Sequence, residues 1–512
     1  MTTTGNTAVH KTRTYTIQPV TRIEGHGKVT IHMDERNEVT EARLHIVEFR
    51  GFERFILGRP YWEVPVIVQR LCGICPVSHH LAAAKAMDRI VGGEQLTPTA
   101  EKVRRLMHYG QIFQSHALHF FHLSSPDLLF GTDGTATSAF SAPVAQRSVL
   151  AVAAKYPEIA LQGVMMRKFG QEVIKATAGK KIHGTGAIPG GVNKNLSLAE
   201  RDALLKDVPQ MLEWARKAVK IARDFTMDHL VELLTFGSFE SNHLSLVRQE
   251  DGALDLYHGV LRAVDKDGQR LVNDVDYQRY LEVVGEEVRS WSYMKFPFLR
   301  LLGPEKGWYR VGPLARLNTC AFIPTPEAEA ARQDYLALTH GRPNNVTMCY
   351  HWARNIELLH SIEAIRDLLE DPDLQGDDLI SRGPRREEAV GLIEAPRGTL
   401  FHHYRVNKND EVTMCNLIVS TTNNNEPMNR AVTKVAKDFF TGKAEISEGL
   451  LNHIEVAIRA YDPCLSCATH ALGQMPLDVV LLGADRQTLD RVTRSPHGSF
   501  CHEAIASGAT AR

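Results

Sequence analysis

Two pairs of cysteines have the spacing of a metal-binding or redox motif. The residues of these motifs are Cys72, Cys75 and His79 near the start of the chain, and Cys464, Cys467 and His470 near its end. Two residues between cysteines let both sulfurs face one centre, so each pair can offer two ligands to a soft metal ion.

Nearly the whole chain separates the two pairs. Structural zinc ribbons place their pairs roughly 15 to 20 residues apart. A four-thiolate site between positions 72 and 467 would instead join the two ends of the fold, which suits a buried catalytic metal. Spacing alone leaves a structural zinc site, a thioredoxin-like redox pair and unrelated cysteines open as alternatives.

Each pair adjoins a predicted helix end. Pro76 suits the first turn of a helix, and Pro463 interrupts the helical pattern of residues 454–458. A helix N-terminus stabilises a thiolate through its unpaired N–H groups and its dipole. The position after Cys75 therefore lowers the cost of ionising a cysteine, while the helix exit before Cys464 leaves backbone that can be aimed at a metal.

The composition is that of an ordinary globular protein. Of 512 residues, 43% are hydrophobic and 23% are charged, and 59 basic residues balance 60 acidic ones to a net charge of -1. These values exclude disordered, collagen-like and coiled-coil chains, and no global field attracts nucleic acid or an anionic membrane. Neither an export signal nor a membrane span is predicted, so we expect a cytoplasmic protein, free or held at a membrane through partners.

The hydrophobic pattern predicts an α+β fold that is predominantly α-helical. Alternation in residues 28–33 and 39–49, around a polar turn, predicts a small N-terminal β element. Helical spacing from about residue 60 to residue 250 predicts long central helices, one of them opened by a capping box at 197–200. The polar stretch 376–388 is predicted to be a surface loop.

The domain prediction follows from the position of the motifs. A metal site between the N- and C-terminal motifs requires residues 14–470 to form a single body. Residues 1–13 lack apolar periodicity and are predicted to be a mobile tail.

Five separated motifs make the chain resemble the large, catalytic subunit of nickel–iron hydrogenases. In the family's order they are RIEGH at 22–26, EFRGFE at 48–53, RLCGICPVSH at 70–79, EAPRG at 394–398 and DPCLSCATH at 462–470. The segment 119–127 is most similar to the uptake branch that lacks an export signal, whereas the end of the chain also resembles the soluble bidirectional enzymes.

The resemblance implies a nickel–iron centre held by all four cysteines. Cys72 and Cys464 match terminal nickel ligands. Cys75 and Cys467 match sulfurs that bridge nickel to an iron carrying carbon monoxide and two cyanides. Such a site carries net negative charge, so hydrogen-bond donors are expected around it.

Further residues are implied to surround this centre. Arg397 matches the arginine over the open metal face, with Asp127 and Asp462 near it. The backbone at Pro396 and the Thr421 hydroxyl match the groups that bind cyanide. Ser420 stands where relatives often have proline.

Two more features are implied by family position. His79 matches a histidine that donates to a bridging sulfur. Glu48, His470 and a backbone carbonyl near Leu417 match the ligands of a Mg²⁺ site.

The implied reaction is the heterolytic cleavage of H2. Cys464, or Arg397 acting as a base, would take the proton, and Glu24 would relay it outward. The remaining cysteines are scattered singly and cannot hold an iron–sulfur cluster, so an iron–sulfur small subunit must carry the electrons. A higher oligomer of such heterodimers is expected.

Residues 471–512 resemble the extension of the family's precursors. A maturation endopeptidase would remove it by cutting between His470 and Ala471. Hydrogen-sensing homologues typically lack this extension, and quinone-reductase relatives have lost the nickel cysteines, so a working hydrogenase is favoured. A bidirectional NAD-linked enzyme remains the alternative to an uptake enzyme.

Overall fold

The computed structural model describes residues 12–48, 51–130, 139–140, 142–469, 477–482, 488–494 and 500–504. Over these residues the predicted α+β fold, dominated by helices, is confirmed.

The helices begin and end as follows: α1 Phe52–Phe55, α2 Val64–Ile67, α3 Pro76–Ile90, α4 Pro98–Leu118, α5 Ser125–Leu129, α6 Val149–Lys155, α7 Pro157–Ala178, α8 Leu198–Leu205, α9 Val208–Asp228, α10 Leu230–Leu233, α11 Tyr280–Val283, α12 Gly303–Lys306, α13 Pro313–Thr319, α14 Pro326–Ala337, α15 Tyr350–Leu369, α16 Ser420–Asn423, α17 Asn425–Phe440, α18 Glu448–Ala460 and α19 Leu465–Ala468.

The strands are β1 Arg13–Ile17, β2 Gly27–Met33, β3 Val39–Ile46, β4 Ala187–Ile188, β5 Gly191–Val192, β6 Asn242–Val247, β7 Val260–Val264, β8 Arg270–Val275, β9 Val284–Glu287, β10 Phe296–Leu299, β11 Tyr309–Arg310, β12 Glu388–Ala395, β13 Gly398–Val406, β14 Val412–Ile418, β15 Leu477–Leu482, β16 Thr488–Arg494 and β17 Phe500–Ala504.

Long helices pack against one another at the centre, as predicted. Helix α4 lies between α7 and α15, and α15 also packs on α9. Almost every residue of α15 is buried, charged ones included, so it runs through the core. The predicted capping box is present, because Ser197 accepts from the Glu200 N–H while the Glu200 carboxylate accepts from the Ser197 N–H.

The N-terminal β element is confirmed and is larger than predicted. Strands β2 and β3 form the expected hairpin, and β1 adds a third antiparallel strand, with Arg13 opposite Met33. The predicted boundary of the N-terminal tail is therefore wrong by one residue, because Arg13 already belongs to the sheet. Residues 1–11 of the tail lie outside the described residues.

A second antiparallel sheet, in the order β12-β13-β14, was not predicted. Strands β12 and β13 are buried on both faces over most of their length, so their sequences lack polar alternation. Ala395 pairs with Gly398, which leaves Pro396 and Arg397 at the tip of a two-residue turn. This sheet therefore determines where Arg397 lies.

Helix α3 lies directly on strand β12. The Lys85 ammonium on α3 donates to the Leu392 carbonyl at 2.7 Å. A Cβ atom at Gly391 would lie 1.9 Å from the Ala82 carbonyl oxygen, so only glycine permits this approach. The contact fixes the helix that begins directly after Cys75.

The region 376–388 is mostly exposed, as the loop prediction requires.

Strands β15, β16 and β17 form a three-stranded antiparallel sheet within the C-terminal extension. In the part of the chain that the structure describes, no helix is long and apolar enough to cross a bilayer.

Replacing Gly391 by alanine tests the contact between α3 and β12. Gly391→Ala should lower the free energy of unfolding by about 1 to 3 kcal/mol, because the added methyl group collides with backbone atoms that cannot move freely. The measurement is the urea midpoint of the purified chain. Gly449→Ala is the control, since its Cβ would meet only side-chain atoms, at 3.4 Å or more. Equal midpoints for both variants would contradict the close approach.

Candidate metal centre

The sulfurs of the two cysteine pairs meet in the interior. Their Sγ atoms all lie within 4.8 Å of one another, and all four residues are buried. The separation is 3.3 Å for Cys72 and Cys464, 3.6 Å for Cys75 and Cys467, and 2.8 Å for Cys464 and Cys467. We call these residues the four site cysteines.

The first pair is held by the turn that precedes α3. The Cys72 sulfur accepts from the N–H groups of Ile74 and Cys75, both at 3.2 Å. Cys75 is the N-cap of α3, with Pro76 in the first turn as predicted. The side-chain amides of Gln111 and Gln114 on α4 donate to the Ile74 carbonyl at 2.9 and 2.7 Å, which anchors the turn to the helical core.

The second pair is held by the N-terminal segment. Glu24 and Cys464 form a parallel β-bridge, in which the Glu24 carbonyl accepts from the Leu465 N–H at 2.9 Å. Glu24 Oε2 accepts from the Ser466 N–H at 3.0 Å and lies 3.0 Å from Cys464 Sγ. One glutamate thus binds the backbone of this motif and reaches a metal-ligand candidate.

Gly25 is essential to this contact. Its φ is +84°, a conformation that favours glycine, and a Cβ there would lie 2.8 Å from the Ser466 nitrogen. The glycine of the RIEGH motif therefore permits the two ends of the chain to touch.

The four site cysteines can all be ionised only where cations compensate their charge. Burial raises the pKa of Cys464 and of Cys467 well above the usual range. Hydrogen bonds from Cys464, then Cys467 and Cys72, lower the pKa of Cys75. Because buried like charges repel, four ionised sulfurs in this space require bound cations. The donor set fits soft transition metals.

Arg397 is buried beside the sulfurs. Its Nη2 donates to Asp462 Oδ1 at 3.0 Å, and its Nη1 donates to Ser115 Oγ at 3.3 Å. Burial lowers the pKa of Arg397, but Asp462 and the sulfurs, led by Cys464, outweigh burial and raise it far above its ordinary value. Arg397 is therefore a fixed positive charge against an anionic site.

A small cavity adjoins the sulfurs. It is lined by Cys75, Ser78, His79, Ala395, Pro396, Arg397, Leu400, Val419, Ser420, Thr421, Cys464 and Cys467. Ser78 Oγ and Arg397 Nε have no hydrogen-bond partner among the described residues. Thr421 Oγ1 accepts from the Cys464 N–H at 3.0 Å, which leaves its proton for another acceptor. The wall thus offers donors to small ligands with acceptor ends, as cyanide has.

Ser420 secures the loop that Thr421 occupies. Its hydroxyl donates to the Gly398 carbonyl at 2.8 Å, which joins the start of α16 to the turn that bears Arg397. The serine thus makes a hydrogen bond that proline could not make.

A buried ion network supports the same turn. Arg316 donates to both Glu357 oxygens at 2.6 Å and to Glu394 at 2.8 Å. It also donates to the carbonyls of Ala395 and Pro396 at 2.9 and 3.3 Å. Sequence reasoning missed Arg316 and Ser115, because only the fold brings them to the site.

Among the described residues, no hydrogen bond or ion pair joins Asp127 to Arg397, near which family position had placed it. Its carboxylate accepts from Arg22 at 2.5 and 3.0 Å and from Arg459 at 3.0 Å. Two arginines already bind this buried carboxylate, so it joins the RIEGH motif to α18. Asp462 does contact Arg397, as expected.

Of the expected Mg²⁺ ligands, Glu48 and Leu417 lie among the described residues. Glu48 is 40% exposed and pairs with His26 at 2.8 Å. The carboxylate that reaches Leu417 is instead that of Glu53, which is buried and accepts from the Leu417 N–H at 2.9 Å. Glu53 lies five residues along in the same motif, so it is Glu53, and not Glu48, whose carboxylate is found beside the Leu417 backbone. His470 and Ala471 lie outside the described residues.

The other cysteines are dispersed. Cys320, Cys349 and Cys415 are buried, and burial raises the pKa of each, to about 11 for Cys320 and about 12 for Cys349. Apart from the site cysteines, no group of three or more possible ligands close enough for one metal ion is found among the described residues.

Family models match most of the chain. The model described as "HoxL-like" matches residues 14–49, and the model described as "Nickel-dependent hydrogenase" matches residues 50–158 and 262–470.

Similar proteins and structures agree with these matches. The "NAD-reducing hydrogenase HoxS subunit beta" of Cupriavidus necator is 50% identical over 94% of this chain and its own full length. A chain of the F420-non-reducing hydrogenase of Methanothermobacter thermautotrophicus is 40% identical over 89% of this chain and 94% of its own length. A crystal structure of an NAD⁺-reducing [NiFe]-hydrogenase is 57% identical, with a TM-score of 0.86, over 90% of this chain and 99% of its own.

Gly25→Ala tests whether the contact between the chain ends holds the site together. The methyl group would push Ser466 away, so the purified variant should retain much less tightly bound metal, measured by elemental analysis. Gly58→Ala is the matched control, because its φ is +78° but its Cβ would meet nothing within 4 Å. Both variants incur backbone strain of about 1 kcal/mol. Full metal content in Gly25→Ala would contradict this role.

Proposed function

The chain belongs to the nickel-dependent hydrogenase family as its catalytic large subunit, and from this premise we propose that it cleaves H2 heterolytically at a nickel–iron centre held by the four site cysteines. The observation that carries the proposal is the buried cluster of four sulfurs with the Glu24 carboxylate 3.0 Å from Cys464 Sγ. Burial of all four cysteines keeps bulk water away from the reacting atoms.

The metal centre would supply the Lewis acidity that polarises H2 and the capacity to take up its electron pair. By family resemblance its iron carries carbon monoxide and two cyanides. The donors at Thr421, Ser78 and Arg397 suit the acceptor ends of such ligands, and the buried Arg397 charge offsets part of the anionic charge of the site.

Cys464 is proposed as the proton acceptor and Glu24 as the relay. Cys464 Sγ and Glu24 Oε2 are within hydrogen-bond reach, so a proton on the sulfur can pass directly to the carboxylate. Arg397 carries only donors and is already bonded to Asp462 and Ser115. Its geometry supports electrostatic stabilisation rather than the role of base.

Electrons require a partner, which we propose to be an iron–sulfur small subunit. No second cluster of cysteines occurs among the described residues. Assembly of such heterodimers into a higher oligomer, in the cytoplasm, is part of the proposal.

We propose NAD-linked, bidirectional turnover for the complex in place of the uptake direction. The support is the similarity to proteins named as NAD-reducing. The test measures NADH formation by the complex from H2 and NAD⁺, and H2 formation from NADH alone. Activity in both assays distinguishes this enzyme from an uptake enzyme. A hydrogen sensor would turn over slowly in both assays.

A Mg²⁺ ion is proposed near Leu417, with Glu53 in place of Glu48 and with His470 as a further ligand. The support is the burial of the Glu53 carboxylate next to the Leu417 backbone. Carboxylate and carbonyl oxygens suit this hard cation. Elemental analysis tests this ion, because the Glu53→Gln variant should retain less magnesium than the wild-type protein.

Removal of residues 471–512 by a maturation endopeptidase is also proposed. The family model match ends at residue 470. The solved NAD⁺-reducing structure is covered over 99% of its length by only 90% of this chain. Intact mass of the nickel-loaded protein tests the cut between His470 and Ala471, and a retained extension would contradict it.

Infrared spectroscopy of the purified complex tests the metal centre. Bound carbon monoxide and cyanide should give bands where protein does not absorb, and elemental analysis should find nickel and iron. A blank spectrum together with one zinc ion per chain would overturn the proposed function in favour of a structural zinc site.

Glu24→Gln tests the proton relay. Loss of the carboxylate should lower H2 turnover about 10²- to 10⁴-fold, the range typical of general acid–base groups, with unchanged infrared bands. The amide retains the size of the side chain, so metal content should persist. Glu48→Gln is the control because its carboxylate is exposed and pairs with His26. Wild-type turnover in Glu24→Gln would exclude this relay.

A further inference from the structure

Asp462 is flanked by two buried arginines. Arg397 Nη2 donates to Asp462 Oδ1 at 3.0 Å, and Arg354 Nε lies 4.0 Å from the other carboxylate oxygen, Oδ2. Arg354 belongs to α15 and is 1% exposed, and Asp462 is 2% exposed. Two cations thus share one buried carboxylate, and of the two it is Arg397 that lines the cavity beside the sulfurs.

Backbone carbonyls fix the guanidinium of Arg354. Its Nη2 donates to the carbonyl of Ala460, the last residue of α18, at 3.0 Å, and its Nη1 donates to the Tyr350 carbonyl at 3.4 Å. The carbonyl end of a helix carries partial negative charge, so a cation is favoured there. Because Ala460 stands two residues before Asp462, one planar guanidinium contacts both the end of α18 and the carboxylate.

The backbone of Asp462 requires such support. Its φ is +52°, in the left-handed region that residues with a Cβ atom rarely occupy. A strained residue persists only where its surroundings over-determine it. The Asp462 N–H donates to the Arg459 carbonyl at 2.9 Å, and the carboxylate lies between the two arginines. The turn that leads into Cys464 therefore depends on these contacts.

Arg354 Nε and Asp462 Oδ2 face each other, and neither has a hydrogen-bond partner among the described residues. His119 Nε2 also lies 4.0 Å from Asp462, but it bonds to the Arg459 carbonyl at 2.8 Å. Burial lowers the pKa of His119 well below its ordinary value, so this ring is neutral. Burial lowers the pKa of Arg354 only to about 10, with Asp462 opposing the shift, so the guanidinium keeps its charge at neutral pH.

Helix α15 connects this carboxylate to the turn that bears Arg397. Glu357 follows Arg354 by three residues on α15, so both lie on one face of the helix. Both Glu357 oxygens accept from Arg316 at 2.6 Å, and Arg316 donates to the two carbonyls that precede Arg397. One helix therefore supports the backbone of Arg397 through Glu357 and the partner of its side chain through Arg354.

We propose that Arg354 is a positioning residue that holds Asp462 between two cations and so leaves part of the Arg397 charge uncompensated beside the sulfurs. Without this contact, the carboxylate has Arg397 as its remaining arginine and offsets more of its charge. The proposal rests on the proposed function, because the charge of Arg397 acts on an anionic metal centre. A weaker positive field beside that centre leaves more electron density on the metals.

The test is Arg354→Lys in the purified, metal-loaded complex. Lysine retains the charge, but one ammonium lacks the planar fork that reaches both the Ala460 carbonyl and Asp462. The carboxylate then offsets more of the Arg397 charge. The infrared bands of carbon monoxide and cyanide should therefore shift to lower wavenumber, and the midpoint potential of the centre should become more negative.

Arg104→Lys is the matched control. This arginine is also buried and also binds a carboxylate and a backbone carbonyl, those of Asp88 at 2.6 Å and Gly191 at 2.7 Å. Asp88 lies near the end of α3 that is opposite to Cys75. Arg104→Lys should therefore leave both the bands and the potential unchanged.

A double variant tests whether Arg354 acts through Asp462. In the Asp462→Asn background the carboxylate charge is absent, so Arg354→Lys should cause no further shift of the bands. Residues that act through a shared contact are non-additive in this way. Equal shifts in the two backgrounds would contradict the proposal.

Arg354→Gln decides the matter if the lysine variant fails to fold. Its amide can still donate to the Ala460 carbonyl but brings no charge to Asp462, so the bands should shift in the same direction and further. Unchanged bands and potential in either variant would overturn the proposal while the wild-type bands still support the nickel–iron site. Absence of those bands from the wild type would instead overturn the proposed function, so the two failures are distinguishable.

Discussion

The need to bury four sulfurs that must lose their protons is the constraint on which the rest of the structure depends. Burial alone raises the pKa of Cys464 and Cys467, so the interior opposes the charge that metal ligands require. The fold opposes this cost locally: two backbone N–H groups donate to Cys72, and the Arg397 guanidinium lies against the cluster. Bound cations must supply the remaining compensation.

The same constraint explains why so many buried ions surround the site. Arg316 binds Glu357 and Glu394, and Asp127 binds two arginines, although buried ion pairs contribute little net stability. Their effect is geometric. Each pair has one arrangement in which all its hydrogen bonds are made, and that arrangement holds the Arg397 turn and the RIEGH segment against the sulfurs.

Local signals could be predicted from the sequence, whereas tertiary contacts could not. The capping box at Ser197 and the helix after Cys75 depend on neighbouring residues, and both are found. The sheet of β12, β13 and β14 was missed because burial on both faces removes alternation. The motifs identified Asp127 and the EFRGFE segment. Packing decides which of the two glutamates in that segment turns inward. The motif alone therefore led to Glu48, whereas the structure buries Glu53.

That unpredicted sheet joins the two sides of the site. The turn before β13 carries Arg397 beside the sulfurs, and β13 itself carries His402 and Tyr404, with His402 Nε2 3.1 Å from Nδ1 of His79 on α3. Because side chains alternate along a strand, a shift of one residue in the pairing of β13 would turn both away from α3. Gly391 and Lys85 hold α3 on the adjacent strand. The Arg397 charge beside the sulfurs and the hydrogen bond from β13 to α3 therefore share one rigid support.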